Sequence, residues 1–293
     1  MTGGSNGSAW FVHESGTPGS PAVVFLHGAG ASGLMWRDHM ARLADRFHCL
    51  APDLPGFGRS NRLEPASLDE SADLVAGLIE ARVPARKAHV VGLSWGGGVV
   101  HTLLDRHPEL VERVVIDGAG APGATPTPRW VGWSVRLGVT AISPFLHTRP
   151  VIALFSGIIG MDEVGRDELR ASSRRAFRRA FVEGFTPRPP FRVEISATCP
   201  TLLVAGEKEA LIRTSNAALA AVMPHAVARF APGLAHGWLA RATELHVRMV
   251  EAWLTGRELP PELGPEPPSP AAEERLRREL GPEPARTSDR RAG

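Results

Sequence analysis

The chain has 293 residues, of which 43% are hydrophobic and 22% are charged, and its formal net charge is +2 at pH 7. This composition is ordinary for a globular protein, and the length allows one large α/β domain or two small ones. The near-neutral balance gives no electrostatic reason to expect a nucleic-acid partner.

The cysteines and the apolar stretches limit the class of protein further. Cys49 and Cys199 are far apart in sequence, so neither a disulfide framework nor a zinc site is expected, and both are predicted to be buried free thiols. The most hydrophobic stretch, residues 151–161, is much shorter than the roughly 20 residues that span a bilayer. The N-terminus lacks the basic and apolar regions of a secretory signal. We therefore expect a cytoplasmic protein without a membrane partner.

Apolar runs typical of buried strands alternate with amphipathic helical runs over most of the chain. In chain order, strands are predicted at residues 22–26, 47–51, 89–93, 114–116, 201–205 and 227–230. Helices are predicted at residues 34–45, 68–81, 95–106, 216–223 and 238–254, and Ser67 with Glu70 forms a capping-box pattern before the second helix. This alternation indicates an α/β fold in which helices flank a mostly parallel sheet.

The alternation is interrupted once and ends before the C-terminus. Residues 119–195 combine Pro-rich links with apolar and Arg-rich helical stretches, which indicates a helical cap inserted over the C-terminal edge of the sheet. Residues 257–293 are rich in Pro, Arg and Glu and poor in apolar side chains, so this tail is predicted to be disordered. The predicted organisation is a core in two parts, 9–118 and 196–256, with the cap at 119–195 between them.

The most informative segment is a predicted strand that runs through G-x-S-x-G, at Gly92, Ser94 and Gly96, directly into a predicted helix. A sharp strand-to-helix turn holds its serine in strained geometry, and side chains two residues before and after it would clash, so both positions need glycine. The turn lifts the Ser94 hydroxyl clear of the sheet. The Trp95 N–H and the helix N-terminus would face an oxyanion formed there.

A nucleophilic serine needs a base and a group that orients the base. The candidate base is His236, which lies between the last predicted strand and the last predicted helix. Three carboxylates could orient it: Glu207 and Glu209 after strand 201–205, and Asp117 after strand 114–116. All of these follow the carboxyl ends of predicted strands, where open α/β sheets bind ligands.

Two loops that follow the first predicted strands supply a second oxyanion donor and a structural carboxylate. In residues 27–30, His-Gly-Ala-Gly, the Ala29 N–H is predicted to be the second oxyanion donor beside Trp95. In residues 53–60 a proline and two glycines indicate a rigid turn, and Asp53 is predicted to stabilise it by hydrogen bonds without taking part in chemistry.

With these motifs in this order, the chain resembles the α/β-hydrolase superfamily over about residues 9–255. The matching motifs are H-G-x-G at 27–30, D-x-P-G-x-G-x-S at 53–60, G-x-S-x-G-G at 92–97 and P-G-x-x-H-G at 232–237. The resemblance implies Ser94 as nucleophile, His236 as general base and acid, and backbone oxyanion donors at Ala29 and Trp95. It also implies an acid at the position of Glu209, where the family usually has aspartate. Because some members use a carboxylate after the preceding strand, Asp117 is the fallback.

These residues together predict a serine hydrolase that cleaves a small, largely apolar carboxylic ester through an acyl-enzyme, without a metal or organic cofactor. A small molecule is the expected partner. Ser94 stands where the haloalkane dehalogenases and epoxide hydrolases of this fold carry an aspartate. Two alternatives stay open: the same residues could act on an amide, lactone, thioester or C–C bond, or the chain could be a non-catalytic ligand-binding member of the fold. The glutamate at position 209 is the feature that favours a non-catalytic role.

Overall fold

The computed structural model describes residues 10–120, 129–159, 161–186 and 199–267, with residues 270 and 274. Its centre is an eight-stranded sheet in the spatial order β1-β3-β2-β4-β5-β6-β7-β8. The strands are β1 Val12–Ser15, β2 Ala22–Leu26, β3 His48–Pro52, β4 Ala88–Leu93, β5 Val111–Asp117, β6 Thr201–Gly206, β7 Ala226–Ala231 and β8 Gly264–Pro265. The six strands from β3 to β7 pair in parallel, and the two edge strands are antiparallel.

Helices cover both faces of the sheet, as the alternation of apolar runs predicts. They are α1 Arg37–Leu43, α2 Leu68–Arg82, α3 Trp95–Arg106, α8 Ala210–Val222 and α9 Thr243–Leu254, with α4 to α7 in the cap. Side chains of α2, α3 and α8 pack on one face, while α1 and α9 pack on the other. Successive residues of β4 point to opposite faces, so Val90 joins the first apolar cluster and Val91 the second. The predicted α/β fold with a mostly parallel sheet is confirmed.

Most predicted elements are present, with shifted ends. The strand at 22–26 and the helix at 95–106 have the predicted bounds, and Ser67 and Glu70 form the predicted capping box of α2. The last predicted helix begins at Thr243 rather than at residue 238, because a short 3-10 turn, Trp238–Ala240, comes first. The edge strands β1 and β8 were not predicted, since their short sequences do not show apolar alternation.

The described residues of the predicted cap contain the helices α4 Arg129–Ile142, α5 Arg149–Ile159, α6 Glu163–Ala171 and α7 Arg174–Gly184. The cap rests on loops that follow β2 and β3. A Cβ at Gly30 would approach Leu169 and Phe177, and the Ser173 N–H donates to the Gly56 carbonyl at 2.8 Å. The cap boundaries at 119 and 195 stay predictions, because residues 121–128 and 187–198 lie outside the described part.

The tail from residue 257 is not disordered throughout, which corrects the prediction. Leu263 is buried, and Gly264–Pro265 forms β8 against β7. Arg213 makes two hydrogen bonds to Glu266, at 2.9 and 3.0 Å, and the Glu266 side chain is only 5% exposed. A few apolar side chains and one edge-strand pairing are enough to order this part, although its average composition is poor in apolar residues. Of residues 268–293 in the predicted tail, only 270 and 274 are among the described residues.

No helix in the described ranges is both long enough and apolar enough to cross a membrane. The cytoplasmic location stays a prediction.

Candidate active site

Ser94 occupies the turn between β4 and α3 with φ 55° and ψ −115°, an uncommon backbone conformation for a residue with a side chain. The glycines on either side are needed for space, because a Cβ at Gly92 would lie 2.6 Å from the Gly96 carbonyl oxygen. The Ser94 N–H donates to the Asp117 carbonyl at 2.8 Å, which fixes the turn to β5. The Ser94 side chain makes no capping bond to α3, so its hydroxyl is not used to cap the beginning of the helix. Such strain is typical of functional positions.

His236 and Glu209 meet at the carboxyl ends of β6 and β7. Glu209 Oε1 lies 2.6 Å from His236 Nδ1, and Glu209 Oε2 accepts the Gly206 N–H at 2.7 Å. The glutamate side chain therefore folds back toward the end of β6. Because a carboxylate only accepts hydrogen bonds, Nδ1 of His236 carries the proton and Nε2 is left with a free lone pair. This is the tautomer that a general base needs.

Opposing effects set the pKa of His236. Burial has the largest effect and lowers the pKa, whereas the hydrogen bond and charge of Glu209, with a smaller contribution from Asp117, raise it. The net result is a pKa above the ordinary value, so the Glu209 contact outweighs desolvation. The imidazolium that would form during proton transfer is therefore stabilised in place.

Ser94 and His236 approach the same point, the tip of β5. The Ser94 N–H bonds to Asp117, and the next residue, Gly118, lies directly against the His236 ring. A Cβ at Gly118 would be only 2.9 Å from Nδ1 and Cε1 of that ring. Gly118 has φ +60°, so both its backbone conformation and the close ring favour glycine.

Among the described residues, the other two candidate carboxylates make no hydrogen bond to the imidazole. Glu207 is directed to the loop before His236, where it accepts the Gly233 N–H at 2.6 Å. Asp117 is fully buried and accepts from Trp238 Nε1 at 3.0 Å. Of the carboxylates that the sequence left open, Glu209 is the one that bonds to His236.

The loop after β2 is braced by a histidine whose role the sequence did not reveal. Leu54 N–H donates to His27 Nε2 at 2.9 Å, so Nδ1 carries the proton and donates to the Gly28 carbonyl at 2.8 Å. Burial lowers the pKa of His27, which keeps it neutral. Because the C=O and N–H of a peptide point in opposite directions, this bond turns the Ala29 N–H away from His27. Gly28 itself borders Ser94.

The second predicted oxyanion donor is the Trp95 N–H. Trp95 is the first residue of α3, so its N–H has no partner within the helix and lies at the positive end of the helix dipole. Trp95 directly follows Ser94 and Ala29 directly follows Gly28, which borders Ser94, and the role of both N–H groups as oxyanion donors stays a prediction.

Asp53 has the structural position that the sequence predicts. It is completely buried, and its carboxylate accepts from Gly33 N–H at 2.8 Å, from Arg59 N–H at 2.7 Å and from His13 Nε2 at 3.0 Å. Burial acts to raise the Asp53 pKa, but these three hydrogen bonds together lower it. A carboxylate saturated in this way holds turns together and is not available for proton transfer.

Both cysteines are buried free thiols, as predicted. Within the described ranges, no three His, Cys, Asp or Glu side chains are grouped as metal ligands would be.

Known proteins that are similar to this chain have the kind of fold that the structure shows. A family model described as "alpha/beta hydrolase fold" matches residues 21–141. An "AB hydrolase superfamily protein" of Gibberella zeae is 33% identical over 107 residues, or 36% of this chain and 38% of the relative. A "2-hydroxymuconate semialdehyde hydrolase" of Pseudomonas sp. is 30% identical over 189 residues, or 61% of this chain and 62% of the relative. The matches thus span less than two thirds of either relative.

A solved structure of a thermophilic esterase from Thermogutta terrifontis superposes with a TM-score of 0.62 at 21% identity, covering 84% of this chain and 93% of that one. At this identity the likeness concerns the fold alone. The semialdehyde hydrolase and the esterase are named for different substrates.

Proposed function

We propose that this chain, a member of the α/β-hydrolase superfamily, is a serine hydrolase that cleaves a small, largely apolar carboxylic ester through an acyl-enzyme on Ser94. One observation carries the proposal: the strained Ser94 turn and the His236–Glu209 pair both border the tip of β5. A merely structural serine would not need positive φ at this turn, nor a histidine kept in the basic tautomer beside the same strand end.

Each residue has a role that follows from its contacts. Ser94 attacks the ester carbonyl while His236 Nε2 takes the hydroxyl proton, and Glu209 holds the resulting imidazolium. The N–H groups of Ala29 and Trp95 stabilise the oxyanion. His236 then gives the proton to the leaving alcohol, and it activates a water molecule that releases the acyl group. No step requires a metal or an organic cofactor.

The cap residues beside the loop after β2 favour a substrate with an apolar acyl group. Leu169 and Phe177, both buried, lie beside Gly30 in the loop that carries the predicted oxyanion donor. An apolar wall beside this loop favours hydrocarbon over charged groups, because burial of an unpaired charge is costly.

A second candidate keeps the same residues and changes the bond. The name of the Pseudomonas relative favours a substrate other than a simple ester, so an amide, lactone, thioester or C–C bond is the alternative. A non-catalytic role is disfavoured because Glu209, although a glutamate, reaches His236 at 2.6 Å.

The test is rapid mixing with 4-nitrophenyl esters of increasing acyl length. We expect a burst of nitrophenol equal to the enzyme concentration, followed by slower turnover, with the shortest to medium apolar chains preferred. Ser94→Ala should abolish the burst. Turnover of every ester by Ser94→Ala at the wild-type rate would contradict the proposal, and activity restricted to lactones, thioesters or amides would select the second candidate.

A further inference from the structure

A row of buried polar side chains runs from the tip of β5 to α1, below the proposed active site. Asp117 Oδ2 lies 3.4 Å from His246 Nε2 in α9, and His246 Nδ1 lies 2.8 Å from His39 Nε2 in α1. All three side chains are completely buried, and the Trp36 and Trp238 rings pack around the two imidazoles. The proposed reaction uses none of the three as a reacting group, although burying them unpaired would be costly.

Asp117 has too few donors around it to be a stable anion. Its Oδ1 accepts one indole N–H, whereas neither Oδ2 nor the His246 Nε2 that it faces at 3.4 Å has a hydrogen bond of normal geometry within the described part of the chain. The titratable groups that face it are Glu209, His236 and His246. Glu209 already pairs with His236, so it repels a second negative charge. Burial first, and then the charge of Glu209, raise the Asp117 pKa to about 8.

We propose that Asp117 is a positioning residue that works as a neutral carboxylic acid, donating its proton to His246 Nε2 and holding the His236 loop through Trp238. His246 then carries its own proton on Nδ1 and donates it to His39 Nε2, which satisfies the 2.8 Å contact. Burial lowers the pKa of His246 to about 3 and that of His39 well below its ordinary value, so both rings are neutral.

This arrangement links the Ser94 turn to the His236 loop. Its role in catalysis rests on the function proposed above. The Asp117 backbone holds the Ser94 N–H, while its side chain holds Trp238, two residues after His236. A neutral Asp117 no longer contributes its small charge effect to the His236 pKa, and Glu209 is then the anion that raises this pKa. The contacts with Trp238 and His246 also explain why Asp117, the fallback for the acid, does not bond to the His236 imidazole.

The first test reads the tautomer of His246 directly and does not depend on catalysis. Two-bond ¹H–¹⁵N spectra of ¹⁵N-labelled wild-type protein are recorded from about pH 6 to about pH 9, with His246→Gln used for assignment. We expect the proton on Nδ1 near pH 7, and a reversal to Nε2–H as Asp117 ionises around pH 8. In Asp117→Asn the Nδ1–H form should persist throughout. A proton on Nε2 of wild-type His246 at pH 6 to 7 would overturn the proposal.

The second test compares two substitutions of Asp117 by kcat and KM. In Asp117→Asn the amide oxygen can accept from Trp238 and the amide N–H can donate to His246, so kcat should fall by less than tenfold. Asp117→Leu keeps the branching at Cγ but neither bond, and we expect kcat to fall about a hundredfold with KM nearly unchanged. Equal losses in both folded variants would show that the negative charge is needed and would refute a neutral acid. If wild-type protein hydrolysed no ester, the proposed function would fail while the tautomer result still stood.

Discussion

Glu209→Gln tests the orientation of the base most sharply, because two hydrogen bonds fix how the new amide must lie. Gly206 N–H needs an acceptor at 2.7 Å, so the amide oxygen must face it and the NH₂ group must face His236 Nδ1. Nδ1 then becomes an acceptor, the imidazole proton moves to Nε2, and the base loses the lone pair that would take the Ser94 proton. Turning the amide around would oppose two donors, at a cost of about 1–3 kcal/mol.

This wrong tautomer, with the lost stabilisation of the imidazolium, should lower kcat by about 10²–10⁴-fold, or about 3–5 kcal/mol in the barrier. The pH profile should change too. A base works only when deprotonated, so activity falls as pH drops through the His236 pKa, which Glu209 holds above its ordinary value. Removing the Glu209 charge should therefore move the acidic limb of kcat/KM to lower pH.

The assay is steady-state hydrolysis of an activated ester from about pH 5 to about pH 9. Glu207→Gln is the matched control, since Glu207 lies in the same loop and bonds to Gly233 N–H, which a glutamine oxygen can still accept. We expect the control to keep nearly full activity. If Glu209→Gln were as active as the control while Asp117→Asn lost activity by orders of magnitude, the assignment of the acid would be wrong.

Three further predictions concern the ring contact, the tail and the thiols. Gly118→Ala should lower kcat by roughly 10–100-fold, because the new Cβ would displace the His236 ring. Gly233→Ala is the control: Gly233 also has a positive φ, +72°, so the backbone strain is similar, but its Cβ would lie in open space and activity should be kept. Equal losses of kcat in the two variants would refute the ring contact. A chain ended after Gly256 should lose about 2–4 kcal/mol of unfolding free energy, measured in urea, because Leu263 and β8 leave the core. As the control, a chain ended after residue 267 should be as stable as the full chain. Equal stability of the two shortened chains would show that residues 257–267 contribute nothing. Burial raises the pKa of Cys49 to about 12, so iodoacetamide at about pH 8 should label it only after unfolding, and rapid labelling of the native protein would contradict its burial.

The sequence predicts the central strands well because both of their faces are covered by helices. Such strands are nearly continuous apolar runs, as in Ala22–Leu26 and Ala88–Leu93, and little else produces that pattern. Edge strands are different. Three of the four residues of Val12–Ser15 are polar, and Gly264–Pro265 is too short to carry a pattern, so both strands are held by backbone pairing that composition does not reveal.

The sequence likewise predicts some of the candidate site residues and not others. Ser94 is predictable because its turn needs glycines at fixed local spacing. His236 is predictable because it lies between Gly233 and Gly237 in the loop after a strand. The acid is not predictable, because Asp117 ends β5 while Glu207 and Glu209 follow β6, so all three carboxylates lie at the same edge of the sheet. Only the direction of each side chain separates them, and that direction depends on contacts far away in sequence, such as the Trp238 indole on Asp117.

Covalent labelling of Ser94 tests the central claim most directly. The protein is treated with a fluorophosphonate probe, digested, and examined by mass spectrometry to find the modified residue, with His236→Ala as a folded control. We predict a single phosphonate adduct on Ser94 in the wild type and a strongly slowed reaction in the control, because the hydroxyl is activated by the imidazole. Folded wild-type protein without an adduct on Ser94, or with equal labelling in the control, would contradict the claim.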